Sequence, residues 1–251
     1  MMKKRMIILF LAGLIIFSVN QKIAVNAHEN KNNVETIATY EEDVTGDGQK
    51  EIIELKGKRF EPDSHFYKHV WAEIDGIPPK KVIIEYEGGF EPEIQFVDLN
   101  HDGVKDLFYS SATGGSGGFY NYALHTLKDQ KLKDIGLPDS LAIESSFEPN
   151  FKGKIQIPGM ASPIIVDLQD RKQDYLRLGI YLPNGKLNEP TELMVLPIAL
   201  MKPVKMNEGN GLEAYQQVSG AYHADGIGTV ISKWSYEQGK WQLKETKWEE
   251  S

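Results

Sequence analysis

Residues 98–106 read DLNHDGVKD, and 55 positions earlier residues 43–51 read DVTGDGQKE. Each stretch puts oxygen-bearing side chains at its first, third, fifth and ninth positions and glycine at its sixth. A hard divalent cation such as Ca²⁺ takes about six to eight oxygens at about 2.3–2.6 Å. A short loop supplies them when alternate side chains point inward and the chain then bends sharply. Glycine at position six adopts the backbone angles that bend requires. The backbone carbonyl at position seven and a carboxylate at position nine would complete the cage. In the later stretch the ligands would be Asp98, Asn100, Asp102, the Val104 carbonyl and Asp106. In the earlier one they would be Asp43, Thr45, Asp47, the Gln49 carbonyl and Glu51. Each stretch brings three carboxylates together, which repel one another unless a positive charge sits between them.

Two kinds of framework use such a loop. An EF-hand needs a helix on either side and a Glu at position twelve. Glu54 stands there in the first stretch, but Tyr109 stands there in the second, whose flanks EIQFV and LFYSS read as strands. Position nine is acidic in both, which favours a calcium loop closing a β-hairpin.

The rest of the chain also reads as strands. EIIEL, HVWAEID, KVIIEYEG, EIQFVDL, LFYSS, YNYALHTL, PIIVDL, YLRLGIYL and GTVISKWSYE are short runs of β-branched and aromatic residues. DGIPPKK, EGGFEP, GGSGG, LPNGK and EQGK separate them as turns. GTVISKWSYEQGKWQLKETKW predicts a hairpin closed near Gln238-Gly239, with Trp234, Trp241 and Trp248 packed on its faces. Moderate helical character is confined to ELMVLPIALM, where Pro197 interrupts it. The fold class expected is all-β and antiparallel. The offset between the loops suggests a repeat with about four units of roughly 55 residues, as in propeller blades. A third loop falls near FKGK, which offers no ligand. A fourth falls at MNEGNGLEA, where Asn210-Gly211 matches but the ligands are lost. IVDLQDRKQDYL echoes the second loop without its glycine.

DLNHDGVKDLFY and DVTGDGQKEIIEL resemble FG-GAP/VCBS-type repeats, the D-x-[DN]-x-D-G-x-x-D calcium loops of integrin-like β-propellers and of many secreted bacterial proteins. The resemblance is specific over residues 40–125. It is weaker over 165–251, where the chain resembles the tails of secreted VCBS-repeat proteins of Bacillus-like bacteria. It implies Ca²⁺ at Asp98, Asn100, Asp102, Val104 and Asp106. Its implication for Asp43, Thr45, Asp47, Gln49 and Glu51 is looser, since Thr45 and Glu51 depart from the usual residues. A small, incomplete or opened propeller fits the length.

The N-terminus carries Lys3, Lys4 and Arg5, a 14-residue apolar run from Met6 to Val19, and Val25-Asn26-Ala27. A bilayer span needs about 20 residues, so a signal peptide cleaved after Ala27 is expected. Residues 28–38 would follow as a flexible arm, 39–140 as the loop-bearing repeats, and 141–251 as degenerate β repeats ending in the hairpin. Losing Lys3, Lys4, Arg5 and Lys22 would move the net charge from -8 to -12. Such a surface disfavours nucleic acid and anionic lipid, both of which are held by Lys and Arg. With no cysteine, disulfides and lipid attachment through an N-terminal cysteine are excluded. The expected protein is secreted, extracellular or loosely associated with the cell wall, and not inserted in the membrane once the signal is cleaved. Its partner would be cell-wall or matrix polysaccharide or an extracellular protein, and it would act as a binding or adhesion module rather than an enzyme. An extracellular hydrolase acting on polysaccharide is the alternative. His65 and His69 lack the residues of a zinc site, GGSGG lacks those of a phosphate cradle, and HADGIG reads as a connection.

Overall fold

In β2 (Glu51–Arg59), Ile53, Leu55 and Gly57 are buried while Ile52 is exposed, the period-two pattern of a strand with one face on the core. Strands of this kind build most of the computed structural model, which describes residues 34–77 and 81–251. The expected signal peptide lies outside the described residues. The expected loose arm does not extend to residue 38, because β1 (Val34–Glu42) pairs with β2 from Val34 onward.

The largest sheet holds both loops. After β1 and β2 come β3 (Phe66–Asp75), β4 (Val82–Tyr86), β5 (Gly89–Val97), β6 (Asp106–Ala112), β7 (Tyr120–Thr126) and β8 (Lys133–Asp134). Its order is β1-β2-β3-β5-β6-β7-β8, with β4 paired beside β3. It reads as two four-stranded antiparallel meanders, β1–β4 and β5–β8, joined where Phe66 and Tyr67 pair with Phe90 and Gly89. The meanders share one core, in which Ile53, Val70 and Ile84 of the first meet Ile94, Leu107 and Tyr109 of the second. Tyr40 of β1 packs edge-on against Phe96 of β5, with ring centroids 5.1 Å apart.

A three-stranded sheet follows, of β9 (Glu144–Glu148), β10 (Lys152–Gln156) and β11 (Ile164–Asp167). A short helix, α1 (Lys172–Arg177), leads to a four-stranded meander of β12 (Met194–Lys205), β13 (Asn210–Ser219), β14 (Gly226–Glu237) and β15 (Lys240–Glu250). All strand pairings described are antiparallel, and the fold is all-β. Among the described residues no helix is long and apolar enough to cross a membrane.

Two further cores connect the sheets. Phe108 and Leu124 of the second meander pack with Met201, Leu212 and Ala214 of the last one. Phe147, Ile155 and Val166 of the three-stranded sheet pack with Val218 and Val230 of that same last meander. β6 is consequently buried on both faces, which is why DLFYSS shows no polar alternation.

Two local expectations are corrected. The ELMVLPIALM stretch is strand, not helix. β12 lies at the edge of its sheet, and its register shifts on both sides of Ile198 absorb Pro197, which has no N–H to donate. YLRLGIYL is not a strand, since Tyr175 belongs to α1 and is fully buried in the core beneath it. The hairpin at Gln238-Gly239 is as expected: Glu237 pairs with Lys240, and the two turn residues have φ of 51° and 82°. Trp248 packs on one core, Trp241 on another and Trp234 on both.

Candidate metal site

The first loop joins β1 to β2, where Glu42 pairs with Glu51, and the second joins β5 to β6, where Val97 pairs with Asp106. No helix flanks either loop, so the framework is a pair of β-hairpins and the EF-hand arrangement is absent from both.

The loops share one conformation. Position four has φ of 81° at Gly46 and 60° at His101, and position six has 83° at Gly48 and 88° at Gly103. Three hydrogen bonds recur in register. The position-six N–H donates to the position-one carboxylate, Gly48 to Asp43 at 2.9 Å and Gly103 to Asp98 at 3.0 Å. The position-seven N–H donates to position five, Gln49 to Asp47 at 2.8 Å and Val104 to Asp102 at 3.0 Å. The position-two N–H donates to position nine, Val44 to Glu51 at 3.0 Å and Leu99 to Asp106 at 2.8 Å. The side chains that could ligate a cation are thus the ones that fold the turn.

Position three separates them. In the second loop, Asn100 Nδ2 donates to Asp102 Oδ2 and to Asp106 Oδ1, each at 3.0 Å. The amide stands between two carboxylates, where a cation would stand. Turning it about χ2 exchanges the donor for a carbonyl oxygen, and Ca²⁺ would then need the oxygens drawn in to about 2.3–2.6 Å. Asp98 spends one lone pair of each oxygen on the Asp102 and Gly103 N–H groups and keeps the others. Lys128 Nζ lies 3.7 Å from Asp102 Oδ1 and hydrogen-bonds the Asp102 carbonyl. The donor set of the second loop therefore fits a hard cation.

The first loop fits less well. Thr45 Oγ donates to Glu51 Oε1 at 3.3 Å, both side chains being buried. Asp43 accepts from Gly46 at 2.7 Å, and this N–H and its neighbours hold the carboxyl below its usual range. Asp47 is exposed and accepts only from Gln49 among the described residues. Among the described residues, no three His, Cys, Asp or Glu side chains are gathered as closely as a bound metal would gather them. His65 and His69 sit on or beside β3, separated along it by roughly 13 Å at strand rise.

Asp106 is fully buried. Burial pushes its carboxyl up to about 6, against the N–H groups of Leu99 and Asn100, and the Asp102 charge adds to the rise. The native state therefore holds this proton more tightly than the unfolded chain does. The resulting stability is present below the unfolded value of 3.8 and is lost as pH rises through about 6. A cation would compete with that proton. CaCl₂ should accordingly raise the melting temperature several-fold more at about pH 7.5 than at about pH 5, as scanning calorimetry would read.

The loops touch each other and a third. A Cβ at Gly46 would stand 2.6 Å from Val104 Cγ2, and the Asp129 N–H donates to the Thr45 carbonyl at 3.1 Å. Lys105 bonds Glu42 at 2.7 Å. In MNEGNGLEA, whose first four residues join β12 to β13, Asn210 at the start of β13 donates from Nδ2 to the Asp98 carbonyl at 2.8 Å, and His101 Nε2 lies 2.7 Å from the Asn210 carbonyl. The first residue of β13 thus braces the second loop.

A buried cluster that spacing did not reveal lies elsewhere. Asp225, 7% exposed, accepts from Tyr175 Oη at 2.6 Å, Arg171 Nε at 2.9 Å and the Ala221 N–H at 2.9 Å. Its side-chain partners Tyr175 and Arg171 lie some fifty residues upstream, and HADGIG alone carries no sign of them.

No solved structure matches this chain. Uncharacterized protein YybI of Bacillus subtilis (strain 168) is 29% identical over 204 residues, covering 77% of this chain and 77% of that protein. Residues 141–249, which hold the three-stranded sheet, α1 and nearly all of the last meander, match the model of the YybI C-terminal domain.

Proposed function

We propose that the protein is a secreted, calcium-binding β-repeat protein that acts by binding, with Ca²⁺ bracing the second loop and, more weakly, the first. The observation that carries this reading is the Asn100 amide held between Asp102 and Asp106 in a loop whose conformation recurs in the first hairpin. Two loops of one shape, each carrying three acidic residues at matching positions, favour a common ligand over two unrelated turns. The FG-GAP/VCBS resemblance and an incomplete, propeller-like array of about four units belong to the same reading. The meanders β1–β4, β5–β8 and β12–β15, with the three-stranded sheet between the last two in sequence, support the repeat. The cores, which link the first meander to the second, the second to the last, and the last to the three-stranded sheet, support an open array. The partner is cell-wall or matrix polysaccharide, or an extracellular protein, met outside the cell where calcium is plentiful.

Extracellular modules bind Ca²⁺ with Kd of about 10⁻⁴–10⁻³ M, so about 5 mM should stabilise by about 1–2 kcal/mol. For a chain of this size that is a rise in melting temperature of roughly 2–8 °C. Asp102→Ala should remove most of the rise and Asp47→Ala much less. Equal losses, or a larger one at Asp47, would contradict the ranking of the loops.

A further inference from the structure

A cleft of about 530 Å³ opens between the two meanders of the large sheet, lined by no residue of either loop. Its floor is aromatic. Tyr86 and Tyr109 stack with ring centroids 4.1 Å apart and planes within 5°, and His125 stands edge-on to Tyr86 at 5.8 Å. Its rim is polar and exposed, with Lys68, His69, Glu85, Glu87 and Asp134. Two buried polar atoms in its wall, Tyr86 Oη and His125 Nδ1, have no hydrogen-bond partner among the described residues. Tyr86 is only 8% exposed. A buried hydroxyl or imidazole nitrogen without a partner costs about 1–3 kcal/mol, and such groups persist chiefly where something else satisfies them.

We infer that this cleft is a binding site for the rings of a neutral carbohydrate. Its volume lies within the about 300–1,000 Å³ usual for small-ligand pockets. Neutral donors and acceptors take the hydroxyls of a sugar ring, and the edges of the stacked pair, Tyr86 8% and Tyr109 1% exposed, leave only a narrow apolar contact for its C–H surface. Asn121 adds a side-chain carbonyl that no group among the described residues donates to, its Nδ2 donating to the Gly88 carbonyl at 2.8 Å. The rim carries three carboxylates to one lysine, which turns away phosphate and other anions, and carboxylates accept pairs of neighbouring hydroxyls. No long apolar surface lines the cleft for a lipid chain. The choice of carbohydrate rests on the binding reading above, but the cleft shares no residue with either calcium loop.

The test is an amide-shift titration of the full chain with cellotetraose and with chitotetraose, each up to about 10 mM, in CaCl₂ and in chelator. Saturable shifts at Gly88, Asn121 and His125 are expected in both conditions. Tyr86→Phe should weaken binding about tenfold while keeping or raising the melting temperature, because it removes a hydroxyl that has no partner. No shift with either sugar, binding unchanged by Tyr86→Phe, or shifts produced by tetramethylammonium instead would each overturn the inference. A calcium response without sugar shifts would sink the cleft and leave the loops standing. Sugar shifts in a protein blind to calcium would do the reverse.

Discussion

Replacing Asp106 by alanine is expected to destabilise the protein by about 2–4 kcal/mol even in chelator. The carboxylate is fully buried and accepts the Leu99 and Asn100 N–H groups and the Asn100 amide. Alanine leaves the buried Leu99 N–H without an acceptor at the mouth of β6, and the Asn100 amide loses one of its two carboxylates. Asparagine behaves differently, because it keeps an acceptor and sheds a charge that burial disfavours. In chelator, Asp106→Asn should lie within about 1 kcal/mol of the parent chain, since the lost charge offsets weaker hydrogen bonds. In calcium both variants should lose the stabilisation that the parent gains. Denaturant midpoints in the two buffers measure all four quantities. Alanine tolerated as well as asparagine in chelator would mean that Asp106 does not hold the turn.

The second large effect lies in the half of the chain that matches the YybI C-terminal domain. Asp225→Ala should lower stability by about 3 kcal/mol, since breaking one side of a buried charge pair leaves the other uncompensated. Tyr175 Oη, fully buried, would lose its acceptor, and so would Arg171 Nε and the Ala221 N–H. The lower end of the usual range applies because the Arg171 side chain is 31% exposed and its Nη2 donates to the Gly226 carbonyl at 2.6 Å. The melting temperature should fall by roughly 6–12 °C. Tyr175→Phe removes one hydrogen bond and keeps the ring in the core, so it should cost only about 1 kcal/mol. A larger loss for Tyr175→Phe than for Asp225→Ala would show that the ring's hydroxyl, and not the carboxylate, anchors the β13–β14 turn.

The two hairpin loops were legible because the recurring hydrogen bonds that fold each turn lie within nine consecutive residues. Asp43 and Asp98 fold the chain onto their own position-six glycines, and no distant segment is needed to read that. Gln238-Gly239 was legible for the same reason, since a two-residue turn with both φ positive announces itself in its own residue types. Where the outcome depended on partners far along the chain, the reading failed. Residues around Pro197 balance between helix and strand until β13 offers an edge to pair with and bulges take up the proline. Tyr175 sits in a run patterned like a strand and turns helical over the core it plugs. The seating of Asn210 against Asp98, 112 residues apart, has no trace in either local pattern. The unpartnered groups of Tyr86 and His125 stand in strands that look ordinary as text, and only the meeting of the two meanders makes them conspicuous.

Calorimetric titration of the full chain with CaCl₂ at about pH 7.5 asks the central question most directly. A saturable heat with Kd of about 10⁻⁴–10⁻³ M, abolished by Asp102→Ala, is the predicted result. No heat, together with an unmoved melting temperature at about 5 mM CaCl₂, would leave both loops as turns stitched by their own carboxylates and nothing more.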